Sequence, residues 1–126
     1  MADAQTDGVT MARLQSSIST GDQKWHDNAA AMQALVRDMK QKAERIALGG
    51  SEEARARHEK RGKLLPRERL AQLLDPGSPF LEIGQFAAFD MYGGDIASAG
   101  LIAGVGRVEG TEVMVVVNDA TVKGGT

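Results

Sequence analysis

The stretch "AGLIAGVGRVEGTEVMVVVNDATVKGGT", residues 99–126, decides the fold class of this chain. It holds two strand-like runs separated by Glu109 and Gly110, a pair that suits a tight turn, so an antiparallel hairpin is predicted. The second run, "TEVMVVV", is apolar on both faces, which predicts a strand buried between layers. Such a strand needs neighbours on both sides. The sequence offers one clear neighbour, so the predicted sheet is incomplete.

Upstream of the hairpin, the sequence is helical in character. Asp22 is suited to cap a first helix, because its carboxylate can accept a bond from a free backbone N–H. Apolar residues then recur at spacings of three and four, which indicates an amphipathic helix: Trp25, Ala29, Met32, Val36, Met39, Ala43 and Ile46. Gly49 and Gly50 are predicted to end this helix, since glycine adopts the left-handed geometry of a C-terminal cap.

Two further helices and a short strand are predicted between the glycine pair and the hairpin. Ser51 is a candidate cap for a polar helix, "SEEARARHEKR", which ends at Gly62. Pro66 suits the first turn of a third helix, whose Leu70, Leu73 and Leu74 are predicted to face inward. "DPG" (75–77) marks a turn, and "FLEI" (80–83) is a candidate strand.

These elements divide the chain into three parts: a weakly ordered tail over residues 1–21, a helical segment over 22–78, and the start of a β-rich domain over 79–126. Within the chain the organisation is α+β. The tail lacks the basic and apolar regions of a secretory signal. Its serines, threonines and single Arg13 leave a weak transit peptide as an alternative to a disordered tail.

Composition narrows the classes of function. The chain has 126 residues, a formal net charge of -2 and no cysteine, which argues against a dedicated nucleic-acid binder and excludes disulfides and thiolate chemistry within it. Its longest apolar run is too short to span a membrane. His26 and His58 are far apart, neither has a second ligand at metal spacing, and no metal site is predicted.

Two stretches are candidates for binding an anion. The basic stretch "RARHEKRGKLLPRER" (55–69) includes Arg61 and Lys63 on either side of Gly62, where backbone and side chains can converge on a phosphate. A solvated helical face is the alternative. In "NDATVKGGT" (118–126), Lys123 can meet an anion and two glycines let the backbone approach a ligand closely. An ordinary strand-to-helix connection is the alternative there.

Three phrases in order carry a resemblance over about residues 22–126: "RHEKRGKLLPRERLAQLLDPGSPFLEIG", "MYGGD" and "AGVGRVEGTEVMVVVNDATVKGGT". Together they resemble the N-terminal part of the carboxyltransferase (β) subunit of biotin-dependent acyl-CoA carboxylases. Propionyl-CoA carboxylases share "RGKL", "RERL" and "LLDPGS" but typically have an aromatic residue where this chain has Lys123. The sequence is therefore more similar to the methylcrotonoyl-CoA or geranyl-CoA branch.

The resemblance implies an α/β subunit of two crotonase-like domains, each a superhelix of ββα units, of which this chain is the opening part. It implies transfer of a carboxyl group from carboxybiotin to 3-methylcrotonyl-CoA, in leucine degradation. Biotin is then carried by a partner α subunit, and β subunits form a homo-oligomer. Catalytic backbone N–H groups are expected beyond Thr126, so the segment alone is expected to be inactive.

Substrate-side residues implied by the resemblance are Lys123, Gly124 and Gly125, with Arg61, Lys63 and Arg67 near the phosphates of coenzyme A. No metal, nucleic acid or membrane is expected as a partner. The bacterial cytoplasm is the expected location, with the mitochondrial matrix as the alternative. The alternatives for function are a geranyl-CoA or propionyl-CoA carboxylase β subunit, or a non-enzymatic helical module that binds an acidic partner.

Overall fold

The computed structural model describes residues 15–94 and 96–125, so the predicted tail falls largely on residues outside this range. The chain divides into two compact units, Met1–Leu35 and Val36–Thr126. Its elements, in order, are helices α1 (Gln23–Ala47), α2 (Glu52–Lys60) and α3 (Pro66–Leu73), strand β1 (Leu81–Ile83), two short 3-10 turns (Met91–Gly94 and Ala97–Gly100), and strands β2 (Leu101–Val108) and β3 (Thr111–Asn118).

In the first unit, Asp22 caps α1 as predicted. The backbone N–H of Trp25 donates to Asp22 Oδ1 at 2.6 Å. This bond satisfies one of the backbone donors that have no partner within the first turn of a helix.

In the second unit, α1 ends at the glycine pair and α2 begins one residue later. Gly49 has a φ of 80°, the left-handed conformation that glycine accepts without a Cβ penalty. Ser51 caps α2, since its side chain accepts from the backbone N–H of Ala54 at 3.2 Å. Glu52 and Glu53 lie in the first turn of α2, where negative charge complements the helix dipole.

Helix α3 begins at Pro66, and the Glu68 side chain accepts from the backbone N–H of Leu65 at 2.8 Å. The prediction that three leucines of this region face inward is wrong for one of them. Leu70 is buried and Leu74 is half-buried, but 49% of Leu73 is exposed. The sheet is narrow, and Leu70 of α3 and Leu74, the residue after the helix, belong to the core that packs on it.

The three strands form an antiparallel sheet in the order β1-β2-β3. Glu109 and Gly110 form the predicted hairpin turn, with φ values of 48° and 78°. Positive φ at both central residues matches the right-handed twist of the flanking strands. Asp75 stabilises the turn from outside the hairpin, because its carboxylate accepts from the N–H of Glu109 at 2.6 Å and from that of Gly110 at 2.8 Å.

One face of the sheet carries the core. Its cluster consists of Leu70, Ile102, Val115 and Val117, with Leu74, Phe80 and Val113 packed against it. The expectation that β3 is buried on both faces does not hold within the described residues, because a helix covers only one side of the sheet. Met114 and Val116 are 62% and 61% exposed on the other side. Strand β3 also lies at the edge of the sheet.

Candidate functional site

A cleft of about 650 Å³ lies between the α1–α2 corner, the segment that precedes β2 and the loop that follows β3. All of its lining residues belong to the unit Val36–Thr126. The walls contain backbone from Gly49, Gly50 and Gly94, so much of the surface is main chain and short side chains. This shape suits a ligand that approaches backbone closely.

The cleft is rich in cationic side chains. Arg45 comes from the last turn of α1, Arg55 and Arg57 from α2, and Lys123 from the loop after β3. Among the lining residues, two carboxylates, those of Glu52 and Asp90, oppose these four cations. The lining is therefore net positive by two formal charges. A positive surface in a concave site attracts anionic ligands.

Arg55 also joins the two helices at the corner. Its Nη1 donates to the carbonyl of Leu48 at 3.2 Å. A guanidinium has five N–H donors, so this one bond leaves donors for a ligand in the cleft. The contact orients the arginine across the α1–α2 corner.

A second cleft of about 440 Å³ adjoins the first but has the opposite charge balance. Four carboxylates contribute to its lining, against Arg55 and Arg67: those of Glu52, Glu59, Glu68 and Asp119. An anionic ligand is thus favoured in the first cleft and disfavoured in the second.

The loop after β3 is folded onto the α1–α2 corner. The backbone N–H of Gly50 donates to Thr121 Oγ1 at 3.0 Å, a contact between residues 71 positions apart. Thr121 in turn donates its backbone N–H to Asp119 Oδ1 at 2.9 Å and its hydroxyl to the same oxygen at 2.5 Å. Asp119, Thr121 and Val122 are all buried. These bonds fix the residues that lead into Lys123.

The predicted triad of Lys123, Gly124 and Gly125 has left-handed backbone throughout, with φ values of 44°, 82° and 82°. Lys123 and Gly124 are exposed, and Lys123 lines the cationic cleft. Gly125 is half-buried, and a Cβ there would lie 3.2 Å from Ala120 Cα. The curled backbone after β3 requires glycine twice, and the segment presents Lys123 to the cleft.

The other three predicted residues lie apart from the cationic cleft, since none of them lines it. Arg61 is exposed at the end of α2, and Lys63 is exposed beyond Gly62. Arg67 is held within the fold: its Nη1 and Nη2 donate to the two carboxylate oxygens of Glu82, each at 2.8 Å, and its Nε donates to the carbonyl of Ala47 at 3.0 Å. This geometry ties α3 to β1 and to the end of α1.

Sequence reasoning missed Arg45, Arg55 and Arg57 as individual site residues, and it treated Gly49 and Gly50 only as a helix end. Arg55 and Arg57 lay within the basic stretch, but their place at the corner depends on how α2 leaves α1. The sequence "DAT" (119–121) could have indicated how this loop folds. An Asp side chain commonly accepts a hydrogen bond from the backbone N–H of the residue two positions later in the chain.

Residues 15–94 and 96–125 contain neither a candidate metal cluster nor a membrane-spanning helix. No group of three or more His, Cys, Asp or Glu residues is arranged to hold a metal ion within that range. His58 Nε2 instead lies 3.1 Å from the carbonyl oxygen of Leu64. No helix in the same range is long and apolar enough to cross a bilayer.

The fold and the cleft define a class: an α+β unit whose strand-end loop borders a cation-lined cleft suited to an anionic ligand. Comparison with known proteins narrows this class. The family model described as carboxyl transferase domain matches residues 57–126, more than half of the chain.

Similar relatives include the biotin-dependent 3-methylcrotonyl-coenzyme A carboxylase beta1 subunit of Mycobacterium tuberculosis, which is 59% identical over 73% of this chain and 17% of its own length. The probable mitochondrial methylcrotonoyl-CoA carboxylase beta chain of Drosophila melanogaster is 46% identical over 90% of this chain and 20% of its own. The chain thus spans about a fifth of the length of these relatives.

Solved structures agree with the sequence comparison. The geranyl-CoA carboxylase beta subunit of P. aeruginosa is 41% identical, with a TM-score of 0.72 over 90% of this chain and 21% of that one. Transcarboxylase 12S is 33% identical, with a TM-score of 0.67 over 75% of this chain and 19% of that one.

The chain belongs to the carboxyl transferase domain family and is similar over most of its length to methylcrotonoyl-CoA carboxylase β subunits. The predicted family and the α+β, crotonase-like fold class are confirmed.

Proposed function

We propose that this chain is the opening segment of a biotin-dependent carboxyltransferase subunit that carboxylates 3-methylcrotonyl-CoA in leucine degradation. The observation that carries the proposal is its 59% identity, over 73% of the chain, to a subunit whose name specifies that substrate. Geranyl-CoA is the second candidate, supported by the 41% identity to a geranyl-CoA carboxylase β subunit. Propionyl-CoA is disfavoured because propionyl-CoA carboxylases typically have an aromatic residue where this chain has Lys123.

The cationic cleft is the proposed site for the coenzyme A moiety. Coenzyme A carries a diphosphate and a 3′-phosphate, so its nucleotide end is strongly anionic. Arg45, Arg55, Arg57 and Lys123 offer it positive charge and N–H donors from three separate elements. Gly124 and Gly125 allow the ligand to approach the backbone beside Lys123.

Arg61 and Lys63 are proposed to contribute weakly to coenzyme A binding, through long-range electrostatic attraction. Both are exposed and outside the cleft lining. Charges separated by more than about 8 Å are largely screened at physiological ionic strength. The bonds from Arg67 to Glu82 and Ala47 support a structural role for that residue in place of the expected contact with phosphate.

Catalysis is proposed to depend on segments that the relatives have and these residues lack. Carboxybiotin, carried by a partner α subunit, is expected to meet those segments, so no step of the transfer is assigned to residues 1–126. A homo-oligomer of β subunits is supported by the hexamer assembly named for transcarboxylase 12S.

The proposed location is the bacterial cytoplasm, because identity to the Mycobacterium relative exceeds that to the Drosophila relative. The mitochondrial matrix is the alternative.

The intact mass of the protein purified from its native source tests this proposal, combined with retention of the protein on a streptavidin column through a biotinylated partner. We expect a mass several-fold above the 13.4 kDa of these residues, together with co-retention. A mass near 13.4 kDa without co-retention would support the alternative, a helical interaction module.

A further inference from the structure

Asp119 and Thr121 form a buried polar pair at the junction of the two clefts. Thr121 lines the cationic cleft and Asp119 lines the other, while Gly49 borders both. The two residues are 5% and 7% exposed, and the Thr121 hydroxyl donates to the Asp119 carboxylate. Both residues lie in the stretch 118–126 that the sequence predicts as a candidate for binding an anion, where Asp119 was noted at the end of the buried strand and Thr121 was not identified individually.

The contact between this pair and the α1–α2 corner is unusually close. A Cβ at Gly50 would overlap the Thr121 carbonyl group, and it would lie 2.9 Å from Thr121 Cβ. A Cβ at Gly49 would overlap the Asp119 carboxylate. Real Cβ atoms essentially never come this close to backbone, so Gly50 is required for the loop to pack here. Gly49 is favoured both by this overlap with a buried side chain and by its φ of 80°.

We propose that Asp119 and Thr121 are positioning residues that hold Lys123 over the corner carrying Arg45 and Arg55. The bond from the backbone N–H of Gly50 to Thr121 Oγ1 links the α1–α2 corner to the loop after β3. Asp119 fixes the rotamer of Thr121 by accepting both its N–H and its hydroxyl. This inference rests on the proposed binding of an acyl-CoA in the cleft, and it adds that cation spacing depends on one hydroxyl group.

The test compares Thr121→Val with Thr121→Ser in the full-length subunit combined with its biotin-carrying partner. Valine has the shape of threonine but lacks the hydroxyl that bonds Gly50 and Asp119, and it keeps the backbone N–H bond to Asp119. Serine keeps the hydroxyl. We expect Thr121→Val to raise KM for the acyl-CoA by up to about fivefold, the effect expected for Lys123→Ala, with kcat within about twofold, because a lost buried hydrogen bond is worth roughly 1 kcal/mol. Thr121→Ser should stay within about twofold of wild type.

The same variants are then assayed with the acyl-pantetheine thioester, which lacks the nucleotide and its phosphates. If Thr121 acts through the cations, Thr121→Val has no effect on KM for this truncated substrate. Equal effects on both substrates would mean general damage to the fold and would overturn the inference. So would a Thr121→Val enzyme with wild-type KM for the acyl-CoA.

A second variant covers the case in which Thr121→Val fails to fold. Asp119→Asn keeps an acceptor oxygen but weakens the bond to the hydroxyl, and it should raise KM for the acyl-CoA about threefold. Combined with Lys123→Ala, it should add nothing further; an additive effect would contradict action through Lys123. A wild-type subunit that carboxylates no acyl-CoA would instead refute the proposed function itself.

Discussion

Arg67 and Glu82 form a bidentate ion pair, with both N···O distances at 2.8 Å, that joins α3 to β1. The two side chains are 33% and 16% exposed, so the pair is partly shielded from water. The planar guanidinium matches the carboxylate in a way that an ammonium group cannot.

Arg67→Lys is therefore expected to destabilise the protein by about 1–2 kcal/mol while leaving KM for the acyl-CoA unchanged. Urea unfolding and steady-state kinetics measure the two effects. Arg69→Lys is the matched control, because Arg69 is exposed on the same helix and should show neither effect. If Arg67→Lys raised KM for the acyl-CoA without changing stability, Arg67 would belong to the substrate site.

Lys123→Ala is expected to raise KM for the acyl-CoA about fivefold, with little change in kcat, because a charge that binds ground state and transition state equally lowers KM only. Steady-state kinetics on the assembled enzyme measures this. Lys60→Ala is the control, since Lys60 is exposed on α2 but outside the cleft lining. Unchanged kinetics for Lys123→Ala would remove this residue from the site.

The cleft geometry also predicts a ranking among the arginines. Arg45→Ala and Arg57→Ala should each raise KM for the acyl-CoA more than Arg61→Ala or Lys63→Ala, since only the first two line the cleft. The difference should shrink as salt rises from about 0.05 to 0.5 M, because screening weakens exposed charges. Equal increases in KM at all four positions would indicate that the basic residues attract the ligand only through their summed charge, with no defined phosphate site.

Asp75 is the link between the turn after α3 and the hairpin. Its carboxylate accepts two backbone N–H groups of the turn, and its own N–H donates to the carbonyl of Arg107 at 2.8 Å. Asp75→Ala should cost about 1–3 kcal/mol of unfolding free energy, measured by urea denaturation, through the loss of two charge-assisted bonds. Glu112→Ala should cost far less, because its ion pair with Arg107 is exposed and 3.9 Å long. Equal losses would contradict this role for Asp75.

Local chemistry explains why much of the fold could be predicted from the sequence. Asp22, Ser51 and Pro66 act within a few residues of their own positions, as does the turn at Glu109 and Gly110, and all are found as predicted. The candidate site was predicted less well. Lys123 was identified, but its cationic neighbours depend on an approach between Gly50 and Thr121 across 71 positions, which no local pattern encodes.

The exposed apolar face of the sheet is expected to promote self-association. Leu81, Met114 and Val116 are 68%, 62% and 61% exposed, and the edge of β3 is unpaired within the described residues. Such a face on an edge strand favours association with other chains. Residues 1–126 alone should self-associate, and Met114→Lys with Val116→Lys should reduce this in analytical ultracentrifugation.

In the full-length subunit, the same double substitution should be destabilising, by about 2 kcal/mol or more, because covering segments would bury the new charges. Lys substitutions at the exposed positions Glu109 and Thr111 are the control and should be tolerated in both forms. A full-length protein that tolerates Met114→Lys and Val116→Lys would contradict the idea that further chain covers this face.

The most direct test of the central claim is carboxylation by the full-length subunit combined with its biotin-carrying partner, ATP and bicarbonate. Initial rates are compared for 3-methylcrotonyl-CoA, geranyl-CoA and propionyl-CoA. We predict the highest kcat/KM for 3-methylcrotonyl-CoA. A higher kcat/KM for geranyl-CoA would identify that second candidate as the substrate. Failure to carboxylate any of the three, with an assembled and biotinylated complex, would contradict the account.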